Sequence, residues 1–173
     1  MITAGGSAYF DRVIATFVHN WDQPTPARLV LRSGCYITQD GGFYERVSPL
    51  GGRRAEGAIL RNGIEIWSVV LSRPEPSLAI CSMGRRDAPQ DMGMPAPVKV
   101  SRSGTSPSRL DGATVIQLSD QHAHVAIPPD ADLRPGDLVG FSISHPCTAF
   151  DRWRVIPVVD DDYAICDAVA TFF

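Results

Sequence analysis

The sequence lacks any run of about 20 apolar residues, the length that a membrane-spanning helix needs. Its first ten residues, MITAGGSAYF, have neither a basic start nor an apolar core, so we expect no export signal. It has a single lysine, Lys99, and a net charge of −3, and no basic stripe that would favour nucleic acid or an anionic membrane. We therefore expect a cytoplasmic protein with no nucleic-acid partner and no membrane partner.

Cysteine is also scarce. The four cysteines, Cys35, Cys81, Cys147 and Cys166, are widely spaced, and no two of them form a Cys-x-x-Cys pair. In a chain of this size without an export signal, such spacing favours free thiols over a disulfide framework.

The remaining composition is that of an ordinary globular protein. A length of 173 residues suggests one domain, or one domain and a fragment of another, and 44% hydrophobic content is enough for a core. The 15 glycines and 14 prolines indicate many turns and few long helices.

The spacing of the apolar residues differs between residues 1–50 and residues 58–173. Residues 1–50 read as α/β: an apolar stripe at helical spacing predicts an amphipathic helix over 8–21, and LVLRSGCYI predicts a buried strand that runs into a turn at Gly34. Residues 58–173 consist of short apolar or alternating runs between turn clusters, which predict a mainly β domain of barrel or sandwich type. The acidic run DDD reads as a solvated hairpin turn.

The stretch SHPCTAF holds the most reactive pair of side chains. If the backbone is extended, His145 and Cys147 share one face, because side chains alternate along a strand. A neutral imidazole and a thiolate are ligands for zinc or another soft metal. The alternative is a strand at a sheet edge, where Pro146 costs no ladder bond, with a hydrogen-bonded histidine and a small buried thiol.

A second histidine pair lies in SDQHAHV. His122 and His124 are two residues apart, and either could complete a site with His145 and Cys147 if the two segments are neighbours. Asp120 could orient one of these imidazoles. The alternative is that both histidines are exposed strand residues. In RPGDLVGF, Asp137 reads as a turn residue without a chemical role.

Two glycine-bearing loops, TAGGS and RSGCY, each stand beside a predicted helix or strand end. Backbone N–H groups at such turns can hold a phosphate.

Taken in order, TAGGSAYF, LRSGCYITQDGGFYERVSPL, LSDQHAHV and SHPCTAFDRWRVIPVVDDDY resemble the C-terminal part of D-serine dehydratase-like amino acid deaminases, relatives of metal-activated D-threonine aldolase. The resemblance implies a pyridoxal-phosphate enzyme with an alanine-racemase-like architecture. In such enzymes an N-terminal β/α barrel holds the cofactor, and a C-terminal β domain supplies a His-x-Cys zinc pair (His-x-Asp in the aldolases). It makes His145 and Cys147 the zinc ligands. It places the cofactor phosphate at Gly6, Ser7, Gly34 and Cys35, and His122 near the active site.

The sequence departs from that family in one respect. A β/α barrel takes roughly 200 residues or more, and residues 1–50 correspond only to its last segments. The family's cofactor lysine belongs to an early barrel strand, whereas Lys99 follows a proline-rich loop. We therefore expect a C-terminal fragment that needs a missing barrel domain or a partner chain and is inactive alone.

In the intact enzyme the substrate is a small D-amino acid, with D-serine giving pyruvate and ammonia, and a homodimer is a further expectation. Two alternatives stay open: a D-threonine aldolase-type lyase, or a non-catalytic zinc-binding β module closed by His122 or His124.

Overall fold

The structure, a computed structural model, describes residues 1–19, 27–51, 58–103 and 105–172. The predicted mainly β class is confirmed. No helix in these ranges is long and apolar enough to cross a membrane. The strands are β1 (Ile2–Gly5), β2 (Leu29–Arg32), β3 (Glu65–Glu75), β4 (Leu78–Cys81), β5 (Ala96–Ser101), β6 (Ser108–Arg109), β7 (Thr114–Leu118), β8 (Ala123–Ala126), β9 (Leu138–Ser142), β10 (Val155–Val159) and β11 (Ile165–Ala170); the helices are α1 (Phe10–His19), α2 (Phe43–Val47) and α3 (Cys147–Phe150).

Seven strands form one antiparallel sheet in the order β6-β5-β9-β3-β4-β8-β7. Alternation along the strands separates the two faces, as in β3, where Ile66, Ser68 and Val70 are buried and their neighbours are not. β9 is the exception, since Val139 to Ser142 are all buried. This strand is covered on both faces, and the segment with His145 and Cys147 follows its end.

The core of the sheet is made mostly of aliphatic side chains, with Phe141 as its largest fully buried member. Its buried members are Ile64, Ile66, Val70, Ala79, Cys81, Met83, Ala88, Val115, Leu118, Ala123, Val125, Ile127, Leu133, Val139, Phe141, Ile143 and Ala149.

β10 and β11 form a separate antiparallel hairpin whose turn contains the acidic run, as the sequence predicts. Most of its apolar side chains are exposed, including Val155 and Ile165.

The N-terminal part forms a β1-α1-β2 unit in which β1 and β2 pair in parallel. The helix begins at Phe10 rather than at residue 8, and Trp21, at the end of the predicted helix, lies outside the described residues. β2 is half-buried rather than buried, as expected for a strand with one neighbour in the described part of the chain. Parallel strands normally lie inside larger sheets covered on both faces, so this pair has the character of a piece of a larger sheet.

Two consecutive glycines bring this N-terminal part against the end of β9. A Cβ at Gly41 would lie 1.9 Å from the Ser142 Oγ, and a Cβ at Gly42 would lie 2.1 Å from the Ser144 Oγ. A Cβ at Gly42 would also lie 2.8 Å from the Ser144 Cβ and 3.0 Å from its Cα, so glycine is required there, whereas a Cβ at Gly41 would force the Ser142 hydroxyl to rotate. The contact places the turn that precedes α2 beside His145.

The beginning of β9 is held by a buried carboxylate. Asp137 accepts from Arg102 Nε at 2.8 Å and Nη2 at 2.9 Å, and from the Arg134 backbone N–H at 2.9 Å. The bonds from Arg102 outweigh the effect of burial and lower the pKa of Asp137. Asp137 therefore does more than occupy the turn that the sequence indicates: it ties the loop after β5 to β9.

We predict that Asp137→Asn lowers the free energy of unfolding by about 1.5–3 kcal/mol at neutral pH, because bonds to a charged partner are lost in a buried place. A carboxylate with a lowered folded pKa stabilises above its unfolded pKa of about 3.9, and this stabilisation is lost as pH falls through the folded value. Urea unfolding should therefore show the gap between wild type and variant closing below about pH 4.

Asp111→Asn is the matched control, because Asp111 pairs with Arg109 on the surface and should cost at most about 1 kcal/mol. Equal losses in the two variants, or a gap that widens in acid, would contradict this role of Asp137.

Candidate functional site

The His145–Cys147 segment is bent, not extended. β9 ends at Ser142, and Pro146 has helical dihedrals, φ −63° and ψ −30°, at the start of α3. The prediction that His145 and Cys147 share a strand face is therefore wrong. The reason is that proline fixes φ near the helical value and suits the first positions of a helix.

His145 is oriented by a carboxylate from the long loop before β5. Its Nδ1 lies 2.5 Å from Asp91 Oδ2, and the Thr148 hydroxyl donates to Asp91 Oδ1 at 3.0 Å. Burial opposes ionisation of Asp91, but the bonds from His145 and Thr148 outweigh it and lower its pKa. With Nδ1 engaged, Nε2 is the nitrogen left for another partner, the arrangement common among metal-binding histidines.

Cys147 meets a second thiol from the N-terminal part. Its Sγ lies 3.5 Å from the Sγ of Cys35, which is buried, whereas Cys147 is exposed. Desolvation, and then the hydrogen bond with Cys35, raise the pKa of Cys147 to about 11. Tyr44 of α2 also bonds to Cys35, and desolvation together with that bond raises the pKa of the phenol.

The two glycine-bearing loops follow the carboxyl ends of the paired strands β1 and β2. The Ser7 hydroxyl accepts from the Cys35 backbone N–H at 3.2 Å, which joins the loops directly. A Cβ added at Gly6 or at Gly34 would meet no atom of the described residues within 4 Å. Open space beside loops at the carboxyl end of parallel strands is where α/β proteins place phosphate groups. Gly6, Ser7, Gly34 and Cys35 therefore fit the cofactor phosphate that the family resemblance assigns to them.

Asp40 and Asp91 are the site residues that the sequence analysis missed. Asp40 is fully buried, and its Oδ1 accepts from the backbone N–H groups of Gly42 at 2.9 Å and Tyr44 at 2.8 Å. Burial raises the pKa of Asp40. The local signal was an aspartate two residues before a glycine at a helix start, which is typical of an Asx turn.

His122 and His124, which we expected could complete the metal site, have other surroundings in the structure. His122 is exposed, and the Nε2 of His124 lies 3.5 Å from the Ser119 hydroxyl. Asp120, which we expected to orient a histidine, pairs with Arg85 at 3.4 Å. Within the ranges that the structure covers, no group of three or more His, Cys, Asp or Glu side chains could hold a metal ion. The pairing of His145 with Cys147 as metal ligands stays a prediction.

Lys99, the single lysine of the chain, bonds to Glu65 and Tyr163 of the β domain. Its Nζ lies 2.6 Å from Glu65 Oε1 and 2.5 Å from the Tyr163 hydroxyl, and that hydroxyl donates to Glu65 Oε2 at 2.7 Å. Tyr163 has φ +63°, an unusual value for a bulky residue, and its ring packs edge-on against Trp67. The single lysine thus anchors the β10–β11 turn to the sheet.

Comparison with known families identifies the β domain. Residues 63–159, more than half of the chain, match the family described as "Putative serine dehydratase domain". The chain belongs to this family. The match includes Asp91, His145 and Cys147. None of the curated proteins matches the chain significantly.

Solved structures of similar fold come from three related groups. D-threonine aldolase from Filomicrobium marinum aligns with 97% of this chain at 20% identity and a TM-score of 0.71. An alanine racemase-like protein from Idiomarina loihiensis aligns with 99% at 15% identity and a TM-score of 0.61. D-threo-3-hydroxyaspartate dehydratase from Delftia sp. HT23 aligns with 82% at 13% identity and a TM-score of 0.55.

At such identities the likeness establishes the fold. The chain covers 40%, 43% and 38% of those three proteins, so it spans about two fifths of their length.

We predict that Cys147, although exposed, reacts slowly with iodoacetamide at pH 8, because only a thiolate attacks and its pKa is raised to about 11. Its rate should be about tenfold or more below that of an unstructured cysteine peptide, whose pKa is about 8.5, and should keep rising up to about pH 11. Peptide mass spectrometry of the Cys166→Ser variant isolates the signal of Cys147. A rate equal to that of the peptide, with a plateau near pH 9, would refute the raised pKa.

Proposed function

We propose that this chain is the metal-binding C-terminal part of a pyridoxal-phosphate- and zinc-dependent D-amino acid deaminase that converts D-serine to pyruvate and ammonia. The observation that carries the proposal is the pairing of Asp91 with His145 Nδ1 beside the exposed thiol of Cys147. Family membership supports the proposal, because the match to the serine dehydratase family includes Asp91, His145 and Cys147.

The donor set suits a catalytic rather than a closed structural metal ion. Asp91 fixes the His145 ring, and Cys147 supplies a sulfur from the next turn of chain. Two protein donors leave coordination positions open for substrate and water, as catalytic zinc sites require. When bound, zinc supplies a Lewis acid for the oxygen of a β-hydroxyl leaving group. Two further solved forms of the hydroxyaspartate dehydratase carry mutations of a histidine and a cysteine two positions apart, and the cysteine form is metal-free.

For the cofactor, the supporting residues lie on the N-terminal part. Gly6 and Gly34 leave space beside the linked loops, and the Ser7 hydroxyl and the Cys35 backbone hold those loops together. When bound, pyridoxal phosphate supplies the electron sink for the charge left at the α-carbon when its proton departs. This chain's only lysine is held by Glu65 and Tyr163, so we assign it no contact with the cofactor.

The open β1–β2 pair supports a missing partner. Two parallel strands of four residues each do not make an independently stable sheet. We propose that a β/α barrel, on the same polypeptide or on a partner chain, adds the neighbouring strands and carries the cofactor lysine. A homodimer of the assembled enzyme belongs to the same proposal.

An aldolase acting on β-hydroxy D-amino acids is the second candidate, favoured by the alignment of 97% of the chain with D-threonine aldolase. Cysteine rather than aspartate at position 147 favours the deaminase, on the family pattern that the sequence resembles. Product analysis separates the two, since elimination gives a keto acid and ammonia whereas aldol cleavage gives glycine and an aldehyde.

We predict that the chain binds one zinc ion weakly, and that His145→Ala or Cys147→Ala abolishes binding. Asp91→Asn should reduce the affinity about tenfold, because a carboxylate behind the imidazole orients it and raises its basicity. The measurement is competition with a chromophoric chelator. His122→Ala is the matched histidine control and should leave the affinity within a factor of about two. Zinc binding that survives Cys147→Ala, or that is lost equally in His122→Ala, would overturn the assignment of the ligands.

We further predict that the 173-residue chain, given pyridoxal phosphate and zinc, forms no pyruvate from D-serine above the rate of free cofactor. The reason is that Lys99, the single lysine of the chain, is committed to an ion pair with Glu65. The same segment joined behind a complete barrel of the family should give zinc-dependent pyruvate formation. Turnover by the isolated chain that disappears in Lys99→Gln would contradict the need for a separate barrel.

A further inference from the structure

Cys35 and Cys147 bring two thiols from distant parts of the sequence together. They are 112 residues apart in the chain, yet their sulfur atoms are separated by only 3.5 Å. Cys35 is 4% exposed in the turn after β2, and Cys147 stands at the exposed start of α3. A disulfide has an S–S distance of about 2.05 Å, so the sulfurs need to approach by about 1.5 Å. Rotation of the exposed Cys147 side chain can supply much of that movement.

The other two cysteines have different surroundings. Cys81 is fully buried in the sheet. Cys166 is exposed on β11 and donates to the Val158 carbonyl. The structure describes all four cysteines, and the Sγ–Sγ contact among them is the one between Cys35 and Cys147.

We propose that Cys35 and Cys147 form a reversible disulfide that links the N-terminal part to the β domain and takes the Cys147 sulfur out of the metal site. The disulfide follows from the geometry of the two thiols alone. Its effect on the metal rests on the proposed function, which makes Cys147 a ligand.

The reaction requires an oxidant, and a small-molecule disulfide such as oxidised glutathione supplies it. The Cys147 thiolate attacks one sulfur of glutathione disulfide, forming a mixed disulfide and expelling one glutathione thiolate. The Cys35 thiol, after losing its proton to solvent, attacks the Cys147 sulfur and expels the second glutathione. One protein disulfide is made, one glutathione disulfide is reduced to two thiols, and the protons balance.

Accessibility decides which cysteine reacts first. Cys147 is exposed and can meet the oxidant, whereas Cys35 is buried and can meet only the Cys147 sulfur beside it.

The test incubates the full chain with oxidised glutathione under native conditions and maps the products by non-reducing peptide mass spectrometry. In wild type the peptides that contain Cys35 and Cys147 should become cross-linked with the loss of two hydrogens, and dithiothreitol should restore their starting masses. Cys35→Ser should stop at one glutathione on Cys147, because the second thiol is absent. Cys147→Ser should leave Cys35 unmodified, and Cys166→Ser should behave as wild type at this pair. Circular dichroism of each variant establishes that it is folded.

A wild-type protein that retains glutathione on Cys147, or that cross-links Cys147 to Cys166 or between chains, would overturn the disulfide. Zinc binding by the oxidised protein is a separate measurement. Loss of binding on oxidation, with recovery on reduction, supports the consequence for the metal. A disulfide that forms while zinc affinity is unchanged would refute Cys147 as a ligand and leave the disulfide standing.

Discussion

The close contact of Gly41 and Gly42 with the end of β9 is the constraint on which the rest of the candidate site depends. The backbone at these positions lies so near Ser142 and Ser144 that any side chain would overlap a hydroxyl oxygen. Asp40 supports this approach from within, because its buried carboxylate accepts from the backbone of the same turn. The same segment also bonds to the residues before β3, where the Gly63 N–H donates to the Thr38 carbonyl at 2.7 Å.

The contact joins two sets of chemical groups that belong to different parts of the fold. One set consists of backbone and hydroxyl groups at the carboxyl ends of two parallel strands, suited to a phosphate. The other is the imidazole and thiol after β9, with Asp91 behind the imidazole. The Cys35–Cys147 contact lies at their boundary. A cofactor held by the first set and a metal ion held by the second would therefore be neighbours, as a reaction at adjacent α- and β-carbons requires.

Features of the fold and the site that depend on neighbouring residues could be predicted from the sequence, whereas features that depend on residues far apart in the chain could not. The mainly β class, helix α1 and the acidic hairpin turn arise from local periodicity and turn chemistry, and the sequence predicts them within a few residues. The bend at Pro146 was also local, but a proline between two polar residues is compatible with either a strand edge or a helix start.

The remaining features depend on contacts between residues far apart in sequence. Asp91 is 54 residues from His145, and nothing in its own loop marks it as that partner. Asp120 was expected to orient a histidine because it is close in sequence, but Arg85 on another loop pairs with it. The need for glycine at position 42 comes from Ser144, on the segment after β9, and could not be read from the turn alone.

X-ray absorption at the zinc edge of the metal-loaded chain tests the central claim most directly. The account predicts one sulfur at about 2.3 Å, one imidazole nitrogen at about 2.0 Å, and the remaining positions filled by oxygen from water. Cys147→Ser should remove the sulfur signal, and Cys35→Ser should retain it. Two sulfurs, two imidazoles or a sulfur-free site in the wild type would contradict a metal centre built from His145 and Cys147 alone.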